Sequence, residues 1–313
     1  MPKRHRVAKA GGRALLVCGA GRVVEKYYAE ALLRSPDFRV EGVVETSGER
    51  RRWAGERFGA RTYDSVAEAL ARGSFAAGLV VTPPQAQHEI SLALLAKGVA
   101  VLTEKPGART EAEAEQLLAA ANGAPLRLGL ARRYWRRYDV QLQGGLESWS
   151  IEIETDPEAW GHLDASQSRG LDGLIDDLLP HAYDIAGQVL GCEAENPAEA
   201  SWDGETLRIG FREGEGSGQR SRGAISISHG KQYRERVIWT TAAGSRPVMI
   251  TSEKSVMSRL VDRLARREDE QVEAIGRLLA SFAKDIEAGE TNDDLRRCTK
   301  LIARTRELLA GGK

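Results

Sequence analysis

Val99-Ala100-Val101-Leu102-Thr103-Glu104-Lys105-Pro106-Gly107 is the stretch whose reading decides the fold. It begins as a short apolar run of strand character and ends in a charged pair stopped by proline. Proline cannot donate to a sheet ladder, and it drives the residue before it towards an extended conformation. The strand therefore ends at the charged pair and leaves one lysine at its carboxyl end. In open α/β sheets the carboxyl ends of the strands are where ligands bind. A surface strand ending in solvated charges would show the same triplet, so the neighbouring segments have to decide.

Upstream, residues 14–18 (ALLVC) form a buried-strand run followed at once by Gly19-Ala20-Gly21. Residues 23–34 then place Val24, Tyr28, Ala31 and Leu32 on one helical face. Strand, glycine turn and helix make the first half of a dinucleotide-binding unit, in which the backbone approaches a pyrophosphate at the helix N-terminus. Val24 stands where the third glycine of that fingerprint belongs, which predicts a slightly shifted helix. Residues 40–44 read as a second strand closed by Glu45, near the place where an acid accepts hydrogen bonds from the adenosine ribose. Helices over 49–58, 88–97 and 110–121 and strands over 78–81 and 126–130 continue the alternation. The expected fold class is α/β, with an N-terminal doubly wound parallel sheet.

After Leu130 the pattern changes. Residues 150–154, 206–211, 224–228 and 236–241 alternate apolar with Ser, Glu, Arg or Thr, the mark of a mostly antiparallel sheet with one covered face. Helices over 171–190 and at the C-terminus are its expected cover. The last one, 293–309, carries Leu295, Cys298, Leu301, Ile302, Leu308 and Leu309 along a stripe and has Thr291 or Asn292 as its cap. The expected division is a basic tail over 1–13, a dinucleotide-binding domain over 14–130 and an α+β domain over 131–313.

Composition limits what such a chain can do. It has 313 residues, with 45 Lys plus Arg against 45 Asp plus Glu, and so gives no sign of a global nucleic-acid binder. No apolar run approaches the roughly 20 residues of a membrane span. The first 13 residues carry five Lys or Arg and no acid, but lack the apolar core of a signal peptide. Cys18, Cys192 and Cys298 are far apart and form no CxxC pair, which argues against a disulfide framework or a structural zinc and for a reducing cytoplasm. No metal is expected.

In the second half, Asp176-Asp177-Leu178-Leu179-Pro180-His181-Ala182-Tyr183-Asp184 stands out. On an unbroken helix Asp177 and His181 would share a face, although Pro180 has either to kink the helix or to start a new one. A structural Asp–His pair and a catalytic one both fit. Arg132-Arg133-Tyr134-Trp135-Arg136-Arg137-Tyr138 reads either as a solvated junction or as a grip, through Arg133, on an anionic substrate or a sugar.

The segments GAGRVV, VVETSGERR, VVTPPQAQH, GVAVLTEKP and DLLPH, in that order, resemble the Gfo/Idh/MocA oxidoreductases, the family of glucose–fructose oxidoreductase and inositol dehydrogenase. The likeness runs from about residue 14 to 192 and is fainter in the last helices. Leu171 and Asp172 depart from it, since a run of glycines is usual there. The resemblance implies that Lys105 is the active-site lysine beside the nicotinamide, and that Asp177 and His181 complete the catalytic group. It implies cofactor contacts from Arg22 and Val23 beside Gly19 and Gly21, and from Thr82, Pro83, His88 and Glu104. Trp160 and His162 fall where family members line the substrate pocket.

Hydride transfer at a carbinol carbon must be matched by a proton on its oxygen. His181 suits the acid–base step, Lys105 suits hydrogen bonding to the reacting oxygen, and Asp177 suits orienting His181 or the substrate. Glu45 favours NAD(H), since a 2′-phosphate would meet a like charge there. Arg50 and Arg51 leave NADP(H) open. Relatives that hydrolyse glycosides through a transient oxidation, or that only sense the cofactor, are the competing expectations. A small-molecule substrate is the expected partner, with no nucleic acid or membrane. Relatives associate through the outer face of the C-terminal sheet, which here carries Glu152, Glu154, Arg208, Ser226 and Ser228. Those residues predict a weak, wet homo-oligomer or none.

Overall fold

The computed structural model describes residues 11–138, 146–156, 170–189, 191, 197–211, 222–241, 244–251 and 269–311. Contacts divide the chain into two units, Met1–Tyr134 with Asp269–Arg296 and Trp135–Glu268 with Arg297–Lys313.

The first unit holds six strands: β1 (Arg13–Cys18), β2 (Phe38–Val44), β3 (Arg61–Tyr63), β4 (Ala77–Val80), β5 (Ala100–Glu104) and β6 (Leu126–Gly129). They pair in parallel in the order β3-β2-β1-β4-β5-β6. β4 is buried throughout and β5 everywhere but Glu104, as strands covered on both faces must be, which is why they read as plain apolar runs. A π-helical turn, Val24–Tyr28, leads into α1 (Ala29–Arg34), followed by α2 (Gly48–Phe58), α3 (Val66–Arg72), α4 (Pro84–Leu95) and α5 (Glu111–Ala120). The side chains of Ser47, Ser65 and Thr110 cap α2, α3 and α5 by accepting the N–H of Arg50, Glu68 and Glu113. β3 and α3 escape the sequence reading because three and seven residues are too few to show a period.

The second unit holds β7 (Leu146–Thr155), β8 (Pro197–Trp202), β9 (Thr206–Phe211), β10 (Arg222–His229), β11 (Arg234–Thr241) and β12 (Gly244–Thr251), in the order β12-β11-β7-β10-β9-β8. Only the β7–β10 pair is parallel among the described strands. Ile151, Ile153, Leu207, Ile209, Ile225, Ile227 and Val237 are buried on one face. On the other, Arg236 pairs with Glu152 at 2.7 Å and Arg234 with Glu154 at 3.5 Å.

The expected helix over 171–190 is broken. α6 (Leu171–Asp177) stops at Leu178, and α7 (Leu179–Asp184) starts with Pro180 in its first turn, where a missing N–H costs nothing. A second π-helical turn, Ile185–Val189, follows.

The C-terminal helices are α8 (Glu270–Ala288) and α9 (Asp294–Gly311). α8 departs from the expectation that it covers the second sheet, since Asp269–Arg296 belongs to the first unit. Its Val272, Ile275, Leu278, Leu279 and Phe282 lie in one core cluster with Leu15, Phe38, Leu79 and Leu102. Phe282 stacks on Phe38 at 5.7 Å between ring centroids. Arg127 of β6 closes the join with a bidentate pair to Asp285 and a further bond to the Tyr134 hydroxyl at 3.3 Å. A boundary drawn at a change of pattern could not anticipate this, because an apolar stripe reveals that a helix is covered and not which sheet covers it. Asn292 supplies the N-terminal cap of α9, while the Thr291 hydroxyl accepts from Leu126 N–H. Of the expected stripe, Leu295, Cys298, Leu301 and Ile302 are buried, and Leu308 and Leu309 are only partly so. Among the described residues no helix is long and apolar enough to cross a membrane.

Candidate cofactor and active site

Gly19 follows β1 directly, where β2 and β4 part on either side of it. Its N–H donates to Val44 O at 2.8 Å. Its φ is +95°, and a Cβ there would stand 2.3 Å from Val81 O, so only glycine fits. Gly21 is different: the nearest atom to a Cβ would be Arg50 Nη1 at 4.0 Å. The second glycine thus leaves room above the turn rather than relieving a clash. Val24, in the place of the third glycine, is fully buried and opens the π-helical turn, where Ala29 N–H reaches back to Val24 O.

Glu45 accepts from Ala20 N–H through Oε2 and from Ser47 N–H through Oε1, both at 2.8 Å. Its carboxylate therefore ties the glycine turn to the loop before α2. An ionised carboxylate has about four acceptor positions, so capacity for a ribose hydroxyl remains. Arg51 Nη1 donates to the carbonyls of Glu45 and Thr46 at 2.6 and 3.3 Å and braces the same loop. Arg50 is exposed, and its guanidinium makes no hydrogen bond or ion pair among the described residues. Arg22 is exposed and Val23 half-buried at the turn.

At the end of β5, Glu104 directs its carboxylate inward. Oε1 accepts from the Tyr28 hydroxyl at 2.5 Å and Oε2 from Lys105 N–H at 3.2 Å. Burial, followed by the Glu104 charge and hydrogen bond, holds the Tyr28 phenol well above its ordinary pKa. The Lys105–Pro106 peptide is cis.

Gln87 is the residue that the sequence reading passed over. It is 1% exposed. Its Nε2 donates to Thr82 O at 3.0 Å and Lys105 O at 3.3 Å, while its Oε1 accepts from Gly107 N–H at 2.9 Å. His88, one position on, is turned by roughly 100° around α4. It lies near enough to Glu113 of α5 to act on that carboxyl. Burial would raise the Glu113 pKa, but the Arg109 N–H and guanidinium, with His88, outweigh it and lower the value. His88 Nε2 is buried without a hydrogen-bond partner. Pro83 precedes α4 as its N-cap residue. Thr82 borders the glycine turn, with Cγ2 3.2 Å from a Cβ built at Gly19, and its buried Oγ1 has no partner. Open space above Gly21, an acid with spare acceptor positions and an unsatisfied buried hydroxyl are what a dinucleotide would need of this chain.

Arg133 pairs with Asp294 at 2.9 Å, with side chains 13% and 9% exposed, at the start of α9. In the second unit His181 is buried and Asp177 half-buried, on either side of the turn at Leu178. Asp172 and Asp176 both face Arg306 of α9, at 3.4 and 3.0 Å. Trp160 and His162 lie outside the described residues.

A doubly wound sheet with an open glycine turn at the point where strand order reverses defines the class, a dinucleotide-binding α/β protein. Residues 13–131 match the profile of the Gfo/Idh/MocA oxidoreductase family, NAD-binding Rossmann fold. The match covers the N-terminal part of the chain and is to the NAD-binding domain of that family. No curated protein sequence matches it. Among solved structures it is similar to GenD2 from gentamicin A biosynthesis, in complex with NAD (20% identity, 100% of this chain and 98% of that one, TM-score 0.77). It is also similar to myo-inositol 2-dehydrogenase from Lactobacillus plantarum (14%, 96% and 98%, 0.76). D-galactose-1-dehydrogenase from Rhizobium etli gives 20% identity, 96% of both chains and a TM-score of 0.74. At these identities the likeness is one of fold.

Proposed function

We propose that this chain is an NAD(P)-dependent oxidoreductase that moves a hydride between nicotinamide and a carbinol or carbonyl carbon of a sugar, cyclitol or sugar-like metabolite. The observation that carries the reading is Lys105 at the carboxyl end of β5, in a sheet whose glycine turn is open above Gly21. The names of the structural neighbours support it, since one binds NAD and two act on a cyclitol and a sugar.

Gly19, Gly21 and Glu45 would hold the dinucleotide, with the Thr82 hydroxyl at hand beside the turn. The bound nicotinamide supplies the hydride acceptor or donor. In the oxidising direction the C–H electron pair leaves as hydride and the hydroxyl proton must go to a base. His181 takes that proton, Lys105 hydrogen-bonds to the oxygen as it becomes a carbonyl oxygen, and Asp177 orients His181 or the substrate. In the reducing direction the same groups return the proton. Glu45 favours NAD(H) over NADP(H), and a reducing cytoplasm suits the buried thiols of Cys18 and Cys298.

The test is a screen of myo-inositol, aldoses, sugar acids and nucleotide sugars with NAD⁺ and NADP⁺, followed by nicotinamide absorbance. On the substrate found, Lys105→Ala and His181→Ala should each lower turnover roughly a hundredfold or more. His181→Ala should leave NADH affinity nearly unchanged. Turnover close to wild type in both variants defeats the assignment.

A further inference from the structure

We infer that Gln87 is the positioning residue of Lys105: its buried carboxamide clamps the peptide that carries the lysine to the loop leaving β4. This rests on the reading that Lys105 serves the nicotinamide.

The argument begins with an accounting of the main chain. β5 ends at Glu104, so Lys105 O and Gly107 N–H lie past the last residue of the strand in register with a neighbour. Buried backbone groups of this kind must find partners or carry a desolvation penalty. Gln87 meets both with one planar group, its Nε2 donating to Lys105 O and its Oε1 accepting from Gly107 N–H. The second proton of the same Nε2 has Thr82 O as its acceptor. Thr82 closes β4 and borders Gly19, so one side chain spans the glycine-turn side of the crevice and the lysine.

From the other side Glu104 Oε2 accepts Lys105 N–H, and Tyr28 holds Glu104 in turn. The Lys105 peptide is therefore gripped at both its N–H and its C=O. A donor on a long, flexible side chain is precise only when its base is fixed by such supporting contacts. An apolar residue at this position would remove the bonds to two carbonyls and one N–H at once. A glutamate could keep the Gly107 bond, but when ionised it would set its charge against two carbonyl oxygens.

The experiment needs no substrate. The full-length protein is acetylated with a water-soluble N-hydroxysuccinimide ester, with and without saturating NADH. Modification of Lys105 is followed by mass spectrometry against exposed Lys97 as internal reference. In the wild type, NADH should slow labelling of Lys105 by about tenfold relative to Lys97, as expected for an amine held at a bound ligand. In Gln87→Met that protection should fall below about twofold, while the NADH dissociation constant changes less than about threefold. A merely structural role would lower the unfolding temperature and leave the protection of a single lysine intact. Equal protection in wild type and variant, with NADH bound to both, overturns the proposal. Absence of protection in the wild type removes the reading of Lys105 on which it rests. Should Gln87→Met fail to fold, Gln87→Glu keeps the shape and the bond from Gly107, and carries the same comparison.

Discussion

The sequence assigns Glu45 to the adenosine ribose, and its carboxylate also anchors the glycine turn through Ala20 N–H. Two jobs on one side chain sharpen the cofactor prediction. NADH should bind more tightly than NADPH, by fluorescence titration. Glu45→Ala should weaken NADH by more than the loss of ribose bonds alone, because the turn is released as well. Arg50 is the counterweight, since its guanidinium has no partner among the described residues and lies 4.0 Å from a Cβ built at Gly21. Tighter NADPH binding that is abolished by Arg50→Ala would reverse the expected preference. Cys18, beneath the same turn, supports a second prediction. Burial pushes its thiol up to about 12 from 9.0. Between those values only the unfolded chain releases the proton, so stability falls as pH rises through that window. Tyr28 and Tyr183, both raised by burial, steepen the fall above the ordinary phenol value. Urea unfolding from about pH 8 to 11 should show this loss, and Cys18→Ala should make its lower part shallower. An unchanged slope would mean that the thiol ionises in the folded protein.

At the scale of elements, α8 is where local and distant information part. Its amphipathic period is plain in residues 270–288, and so is its end at Gly289, with φ +68°. Its destination is not, because Phe282 meets Phe38 and Asp285 meets Arg127 across most of the chain's length. Phe282→Ala should cost about 3–5 kcal/mol of unfolding free energy from the cavity left among α1, α8 and the sheet. Asp285→Ala should cost about as much by leaving Arg127 buried without its carboxylate, roughly 3–5 kcal/mol. Urea titration of the two variants decides the matter, and a loss below about 1 kcal/mol in both would deny α8 its place in this core. The break between α6 and α7 teaches the opposite lesson. Pro180 announces it in the sequence, and the structure spends the proline in the first turn of the second helix.

The whole molecule is two units, of which the first is not contiguous in sequence. Residues 11–134 alone should therefore fail to unfold cooperatively, since α8 supplies Val272, Ile275, Leu278, Leu279 and Phe282 to their core. The same residues joined by a flexible linker to 269–296 should unfold cooperatively in urea. Cooperative folding of 11–134 by itself would overturn this. The face of the second sheet opposite its buried isoleucines carries the cross-strand ion pairs Arg236–Glu152 and Arg234–Glu154. Sedimentation over a dilution series should find a weakly associating chain or a monomer; a tight dimer seated apolar-to-apolar on this sheet would contradict it.

By itself, the sequence determined whatever depends on neighbours along the chain. Residues 14–21 announce strand and glycine turn, residues 99–107 announce a strand that must stop at Lys105, and the alternation from residue 150 announces a one-sided sheet. Only the tertiary structure decided what depends on partners far apart. It sent α8 to the first unit, paired Arg133 with Asp294, turned Glu104 inward to Tyr28, and brought the Gln87 carboxamide to the Lys105 carbonyl. The reason is physical. Propensity and period are local properties, readable from a few residues. Which buried amide finds which carbonyl is settled only when distant segments are packed together and every polar group that has lost water must be paired.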